Sequence, residues 1–178
     1  GPIQNNLLPD TADISSGERT LIGGCDLLEL ADEFGTPLFV YDEDHLRSRC
    51  REAVRAFDGN VAYATKAFLC IEMAKLAYEE GMNLDVATGG ELYIARKADV
   101  PGERIVMHGN NKSLEELNMA LKEGVGRIVV DSFNELDRLE ELCADLNTST
   151  KVLLRVTPGV EAHTHEFVST GQEDSKFG

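Results

Sequence analysis

The sequence predicts an α/β fold in which repeated strand–helix units build a parallel β-sheet. From residue 36 onward, short runs rich in Val, Ile, Leu and Tyr alternate with longer stretches of helical periodicity. The spacing from strand to strand is regular, at about 21 to 25 residues, which is typical of barrel units. No Gly-x-Gly-x-x-Gly or P-loop motif follows a strand, so a partial (β/α)8 barrel is favoured over a doubly wound nucleotide-binding sheet.

Six short apolar runs are predicted as strands because each combines β-branched, aromatic or Leu residues over four to six positions. In chain order they are Pro37–Tyr41, Asn60–Thr65, Asn83–Ala87, Arg104–His108, Gly126–Asp131 and Lys151–Val156. A closed barrel needs eight strands and about 250 residues. Because only five strands follow residue 60, we expect an incomplete barrel that belongs to a longer protein.

Five longer segments are predicted as helices: Glu43–Phe57, Cys70–Glu80, Gly89–Ala98, Ser113–Glu123 and Phe133–Leu146. In the last one, apolar residues recur at spacings of three and four, which places them on one helical face. Gly81 and Gly124 stand just past two of the segments, where a left-handed residue commonly ends a helix. Ser113-Leu-Glu-Glu116 has the pattern of a capping box.

The first 35 residues differ from the rest because they are rich in turn signals such as Pro9-Asp10 and Gly23-Gly24. A short apolar cluster predicts one helix there: Leu27, Leu28, Leu30 and Ala31. This segment is therefore expected to belong to a different module from the repeated strand–helix units.

Composition excludes several classes of function. The chain has 17 Lys and Arg against 32 Asp and Glu, a net charge of −15, which disfavours a nucleic-acid partner. No stretch approaches the ~18 apolar residues of a membrane helix. The closest cysteines in sequence, Cys50 and Cys70, are 20 residues apart, so zinc-ribbon spacing is absent. Free thiols in a reducing cytoplasm are expected.

Polar residues lie within or directly after the carboxyl-terminal part of each of the five predicted barrel strands. They are Lys66, Asp85, His108 with Asn110, Asp131 with Ser132, and Arg155. The carboxyl ends of barrel strands meet at one mouth, where the reactive groups of such folds lie. A strand end is solvated and usually polar in any protein, but the whole set predicts a functional site.

Lys66 is the strongest candidate because it directly follows Tyr63-Ala-Thr65 and precedes Ala67-Phe-Leu69. With apolar flanks we expect partial desolvation, which lowers the pKa of a lysine from about 10.4 and suits Schiff-base chemistry. The alternative is a lysine whose stem covers apolar surface while its amine stays in water. The remaining lysines in helical or loop patterns are expected in solvent: Lys75, Lys97, Lys112 and Lys122.

Two further patterns are weaker. His163 and His165 would share a face in an extended segment and could bind a metal, but their surroundings are rich in Gly, Ser and Thr. We therefore expect a mobile segment over Thr157–Ser175 and no metal site. Gly89-Gly90 at a helix start could receive an anion, although such glycines more often permit a tight strand-to-helix turn.

The segment Tyr63-Ala-Thr-Lys-Ala67 resembles the cofactor lysine motif of the barrel-type amino-acid decarboxylases, in the alanine racemase and ornithine decarboxylase superfamily. Other segments are similar to the diaminopimelate decarboxylase family within it: Gly35–Asp42, Asp85–Glu91, His108–Ser113, Arg155–Gly159, and His163–Glu166 with Ser175–Gly178. The resemblance covers about residues 35–178.

The resemblance implies a barrel that binds pyridoxal 5′-phosphate (PLP) and a β-domain to which Pro37–Tyr41 contributes a strand. Residues 1–42 would then belong with the β-domain, and residues 43–178 would supply the first five barrel strands. The implied reaction is decarboxylation of meso-2,6-diaminopimelate to L-lysine. Two alternatives stay open: a decarboxylase of arginine, ornithine or a carboxylated polyamine, and a non-catalytic regulatory barrel that binds PLP.

The resemblance also implies roles for individual residues. Lys66 would hold PLP covalently, Asp85 would lie close to the lysine and the substrate amine, and Ala64 would be the small residue below the cofactor. His108, with Asn110, would lie near the substrate, and Arg155 at the edge of the cofactor. The family's phosphate-binding glycines and proton-donating cysteine have no counterpart here, so this part alone is expected to be inactive. A cytoplasmic homodimer with shared sites is implied.

Overall fold

The computed structural model of the chain describes Gln4, residues 7–14 and residues 19–158. By its internal contacts the chain divides into two compact units, Gly1–Gly59 and Asn60–Gly178. The histidine pair at positions 163 and 165 lies outside the described residues. So does the segment expected to be mobile, apart from Thr157 and Pro158.

The first unit holds a short antiparallel hairpin and two helices: β1 (Leu21–Ile22), β2 (Cys25–Asp26), α1 (Leu27–Phe34) and α2 (Glu43–Ala56). Each helix begins at an aspartate whose carboxylate accepts backbone N–H groups of the first turn, Asp26 for α1 and Asp42 for α2. Both caps satisfy donors that a helix start otherwise leaves unbonded. The predicted short helix near residue 27 is therefore confirmed.

Pro37–Tyr41, predicted as a strand, is not one. None of its residues pairs with another described segment in a sheet, and Phe39 is 85% exposed. The sequence pattern reflects apolar residues that favour an extended backbone. A strand also needs a neighbour that accepts and donates its backbone hydrogen bonds, and no described segment takes that place.

The second unit is a five-stranded parallel sheet in the order β3-β4-β5-β6-β7, with a helix between each successive pair of strands. Its elements are β3 (Ala62–Ala64), α3 (Ile71–Glu79), β4 (Asn83–Val86), α4 (Gly89–Lys97), β5 (Ile105–Met107), α5 (Leu114–Lys122), β6 (Arg127–Val130), α6 (Phe133–Asp145) and β7 (Val152–Leu154). In a barrel, strands that follow each other in the chain are also neighbours in the sheet, whereas in a doubly wound sheet the strand order reverses partway. The predicted partial barrel is confirmed.

The helices cover one face of this sheet and form the core with it. The strand residues that point toward them are fully or almost fully buried: Leu84, Val86, Ile105, Met107, Ile128 and Val130. The facing helices contribute small residues that let them approach closely: Ala74 and Ala77 of α3, Ala95 of α4 and Ala120 of α5. The opposite face carries the polar residues of the rim together with apolar residues such as Val106 and Val129, which are half-buried.

The amino ends of β5 and β6 approach each other at a glycine. A Cβ added at Gly102 would lie 1.9 Å from the carbonyl oxygen of Glu123, a distance that requires the backbone to move. We expect Gly102→Ala to lower the free energy of unfolding by about 3 kcal/mol or more, measured by urea denaturation. Gly90→Ala is the matched control, because a Cβ there meets only the Thr88 hydroxyl at 3.8 Å. Equal stability of the two variants would contradict this close approach.

Glu116 joins the amino ends of α4 and α5. Its carboxylate accepts the backbone N–H groups of Ser113 and Gly89, both at 2.9 Å, while the Ser113 hydroxyl accepts the Glu116 N–H. The predicted capping box of α5 is confirmed. Because the Gly89 amide already donates to Glu116, the anion considered for Gly89-Gly90 would have to compete with a carboxylate for this donor.

This carboxylate predicts a pH-dependent contribution to stability. Burial raises the pKa of Glu116, but the N–H donors of Ser113 and Gly89 lower it more, and the net pKa lies below its ordinary value. Such a group stabilises the fold above its unfolded pKa and loses that contribution as the pH falls through its folded pKa. We expect Glu116→Gln to cost about 1 to 2 kcal/mol at pH 7 and much less below about pH 4. Urea unfolding at both pH values checks this, with the exposed Glu115→Gln as control; a gap that stays constant with pH would contradict it.

Candidate active site

The pairing of the strands places the predicted rim residues on one face of the sheet. Ala64 pairs directly with Asp85 across β3 and β4. When each strand is matched to the next by its pairing, and positions two residues apart along a strand are counted as the same face, Asp85 shares a face with His108, Asp131 and Arg155. Side chains two positions apart in a strand share a face. The convergence expected from the strand ends is therefore present in the backbone.

Lys66 lies in a one-turn 3-10 helix, Thr65–Ala67, that directly follows β3. Thr65 is 1% exposed, and its hydroxyl donates to the carbonyl oxygen of Asp85 at 2.9 Å. On the other side, the Tyr63 hydroxyl donates to the carbonyl oxygen of Phe68 at 2.7 Å. The first bond holds the turn against β4, and the second joins the residues on either side of the turn. Together they fix the backbone position of Lys66.

The expected desolvation of Lys66 is not observed, because its side chain is exposed. The prediction relied on the apolar neighbours Ala67 and Phe68, but both are themselves exposed and do not cover the amine. Apolar neighbours in sequence desolvate a side chain only if the fold turns them toward it. Within the described residues, the amine is accessible to a molecule at the rim.

Asp85 and His108 form the closest contact between two predicted site residues. Nδ1 of His108 lies 2.7 Å from Oδ1 of Asp85, and the two side chains are 20% and 30% exposed, respectively. An ionised carboxylate can only accept a hydrogen bond, so with Asp85 ionised this contact places a proton on Nδ1 of His108, and a neutral ring then has Nε2 as an acceptor. Asn110, in the turn after His108, is exposed.

Asp131 and Arg155 form a second pair on the same face. The Asp131 side chain is only 3% exposed, and its Oδ2 lies 3.6 Å from Nη1 of Arg155. Neither carboxylate oxygen of Asp131 accepts a hydrogen bond from the described residues. A buried carboxylate without hydrogen bonds depends on nearby positive charge, so this pair fixes a cationic guanidinium at the rim.

Lys112 was predicted to lie in solvent, but the structure does not place it there. Its side chain is fully buried, and Nζ lies 2.7 Å from Oε1 of Glu135. Nζ also donates to the carbonyl oxygens of Val129, at 2.8 Å, and Gly109. Ser132-Phe-Asn-Glu135 has a capping-box pattern that could have identified Glu135 as a buried acceptor, but no signal in the sequence pairs it with Lys112. The expectation does hold for Lys75, Lys97 and Lys122, which are exposed.

The described residues contain neither a candidate metal site nor a membrane-spanning helix. Over Gln4, residues 7–14 and residues 19–158, no group of three or more His, Cys, Asp and Glu side chains could hold a metal ion. Within the same ranges, none of the helices combines the length and the apolar character needed to cross a lipid bilayer.

Comparison with known proteins identifies a family and close relatives. The pyridoxal-binding domain of the pyridoxal-dependent decarboxylases matches residues 43–178. Diaminopimelate decarboxylase of Mycobacterium tuberculosis is 58% identical over 159 residues, which are 88% of this chain and 36% of that protein. The Bacillus subtilis enzyme of the same name is 56% identical over 162 residues, 88% of this chain and 37% of that protein.

A solved structure agrees with these relatives. Diaminopimelate decarboxylase of M. jannaschii, solved in complex with L-lysine, superposes with a TM-score of 0.82 and is 36% identical. The match covers 96% of this chain and 41% of that one, so the chain spans well under half the length of the relatives it matches. The chain belongs to the pyridoxal-dependent decarboxylase family and carries its pyridoxal-binding domain.

Proposed function

We propose that the protein containing this chain decarboxylates meso-2,6-diaminopimelate to L-lysine, as a step of lysine biosynthesis, with PLP held at Lys66. The observation that carries the proposal is the Asp85–His108 contact at the rim of a pyridoxal-binding half-barrel, with Lys66 in the turn directly after the neighbouring strand β3. The two relatives named above, which are diaminopimelate decarboxylases more than 55% identical to this chain, support this substrate.

The rim residues fit PLP. A primary amine is accessible at Lys66, and the neighbouring Ala64 has a small side chain that leaves room for a planar ring. The buried Asp131 carboxylate, without hydrogen bonds from the described residues, holds the Arg155 guanidinium at the opposite edge of the rim face. When bound, PLP supplies an electron sink for the pair released as CO2 leaves the substrate.

The residues of this chain have distinct tasks in that reaction. The Lys66 amine would hold PLP through a covalent bond. The negative charge of Asp85 stabilises positive charge on a nitrogen bound at the rim. His108 contacts Asp85 through Nδ1, and in its neutral form with the proton on Nδ1 it would present Nε2 as an acceptor for a polar group of the substrate. Arg155 supplies positive charge at the cofactor's edge.

The proposal includes a cytoplasmic homodimer with shared sites. The four cysteines, Cys25, Cys50, Cys70 and Cys143, are free thiols, which suits a reducing compartment. We expect the full-length protein to be dimeric by light scattering and to lose activity when dilution splits the dimer. A fully active monomer would contradict the shared site.

Substrate choice tests the proposed reaction. The full-length protein, saturated with PLP, is given meso-diaminopimelate, ornithine or arginine, and released CO2 is measured. We expect turnover of diaminopimelate, with L-lysine as product. Release only from ornithine or arginine would identify a different decarboxylase, and cofactor absorbance without turnover of any of the three would identify a non-catalytic barrel. The same protein stripped of PLP and then reloaded is the control.

A further inference from the structure

We propose that Lys112 is a positioning residue, which holds His108 against Asp85 by tying the turn after β5 to β6 and α6. The inference rests on the proposed function in one respect, because it treats the Asp85–His108 pair as part of the active site. The Lys112 side chain is fully buried and contacts Gly109, Val129 and Glu135, so it acts through these neighbours.

Three oxygens surround the Lys112 ammonium group: two accept its hydrogen bonds, and the third, Oε1 of Glu135, forms an ion pair with it and accepts no hydrogen bond from the described residues. An ammonium carries three N–H donors. Nζ donates to the carbonyl oxygens of Gly109 and Val129, and Oε1 of Glu135 lies 2.7 Å away. These oxygens come from the turn after β5, from β6 and from the first turn of α6. One side chain therefore joins three segments that are separate in the sequence.

The contact with Gly109 fixes the backbone beside His108. The His108 N–H donates to the carbonyl oxygen of Val86 at 2.9 Å, and the carbonyl of the next residue, Gly109, is held by Lys112. Gly109 has φ +124°, and a Cβ there would lie 3.3 Å from the carbonyl oxygen of Ala87. With its backbone held on both sides, the imidazole of His108 is directed toward Asp85.

Lys112 also acts on the second rim pair, through Glu135. Its Oε2 accepts the backbone N–H of Asp131 at 2.8 Å, and its own N–H donates to the Ser132 hydroxyl. Glu135 therefore also holds the backbone of Asp131, whose side chain faces Arg155. Loss of Lys112 would leave the Glu135 carboxylate unpaired and free the start of α6, so both rim pairs depend on one buried cation.

A contribution to stability does not by itself explain the buried Lys112–Glu135 ion pair, because apolar residues of similar size often replace such pairs without loss of stability. The two roles differ in what they do to His108. A purely structural lysine would lower the free energy of unfolding and leave the imidazole of the folded protein unchanged. A positioning lysine changes the imidazole in molecules that are still folded.

The experiment compares Lys112→Met with Arg104→Met in the full-length protein. Arg104 is a matched control because its guanidinium also donates to two backbone carbonyls, those of Gly81 and Met82. These lie just before the amino end of β4, at the other end of the strand from the rim. The 15N spectrum of the imidazoles reports which ring nitrogen of His108 carries the proton, without cofactor or substrate.

We expect wild type and Arg104→Met to show the Nδ1–H form of His108 and Lys112→Met to show a mixture. We also expect Lys112→Met to lower kcat/KM about 10- to 100-fold, as displaced supporting residues do, with less than a twofold change for Arg104→Met. An unchanged His108 spectrum in Lys112→Met, or the same mixture in Arg104→Met, would overturn the proposal. Because the spectrum needs no substrate, it remains decisive if the protein decarboxylates a different amino acid.

A double variant covers the case in which Lys112→Met does not fold. Adding Glu135→Gln removes the unpaired buried carboxylate and is expected to recover stability. The donor to Gly109 is still missing, so we expect the mixed His108 spectrum to persist in the stable double variant. Return of the pure Nδ1–H form and of wild-type kcat/KM in the double variant would show that Lys112 only neutralises Glu135, and the positioning role would be wrong.

Discussion

Lys66→Ala is expected to abolish covalent attachment of PLP and to lower turnover by about 10³-fold or more. The primary amine is the only group at this position that can form an imine, and alanine leaves nothing to replace it. The fold should be unaffected, because the lysine side chain is exposed and the Thr65 and Tyr63 hydrogen bonds that hold its turn remain. Visible absorbance of the bound cofactor and CO2 release are the two measurements.

Two further variants make this prediction specific. Lys66→Arg should fail as well, because a guanidinium stays protonated and cannot attack an aldehyde. Lys75→Ala removes an exposed lysine of α3 whose nearest carboxylate, Glu79, lies 3.9 Å away, and it should retain both signals. Turnover of Lys66→Ala at a wild-type rate would show that the cofactor is held elsewhere.

Asp85→Asn is expected to lower kcat by about 10²- to 10⁴-fold while the protein remains folded. The amide keeps the shape of the carboxylate but removes its charge, so it neither stabilises a cationic nitrogen at the rim nor confines the His108 proton to Nδ1. The side chain is 30% exposed, so the free energy of unfolding should change by about 1 kcal/mol at most. Single-turnover kinetics and urea unfolding separate the two effects.

Asp99→Asn is the control for the loss of one negative charge. Asp99 is exposed in the loop after α4 and has φ +59°, a conformation that asparagine also tolerates. It should leave kcat within a factor of about two, because surface changes away from a site have small effects. A comparable loss in both variants would mean that net charge, and not the position of Asp85, controls the rate.

The sequence predicted the barrel part of the fold well because each element there carries a local signal. Apolar residues at spacings of three and four mark the helices, and α6 is observed at Phe133–Asp145 against a prediction of Phe133–Leu146. Gly81 and Gly124 have φ of 93° and 64°, as expected after helix ends. Pro37–Tyr41 shows the limit of this reasoning, because a strand depends on a partner that local pattern does not reveal.

The site was predicted in outline, and the contacts that support it were not. Strand ends can be located from periodicity, so Lys66, Asp85, His108 and Arg155 could be assigned to one rim. The burial of Lys112 and its pairing with Glu135 depend on how the turn after β5 meets α6, 23 residues later in the chain. The exposure of Lys66 depends on the direction taken by Phe68. Both are consequences of three-dimensional packing that composition and spacing do not encode.

Chemical trapping of the cofactor tests directly whether Lys66 is the residue that holds PLP. Borohydride reduces an imine to a stable secondary amine, so treatment of the full-length protein with its cofactor, followed by proteolysis and mass spectrometry, locates the cofactor on one peptide. We expect the modified peptide to contain Lys66, within Tyr63-Ala-Thr-Lys-Ala67. The cofactor mass on any other lysine, with Lys66 unmodified, would contradict it.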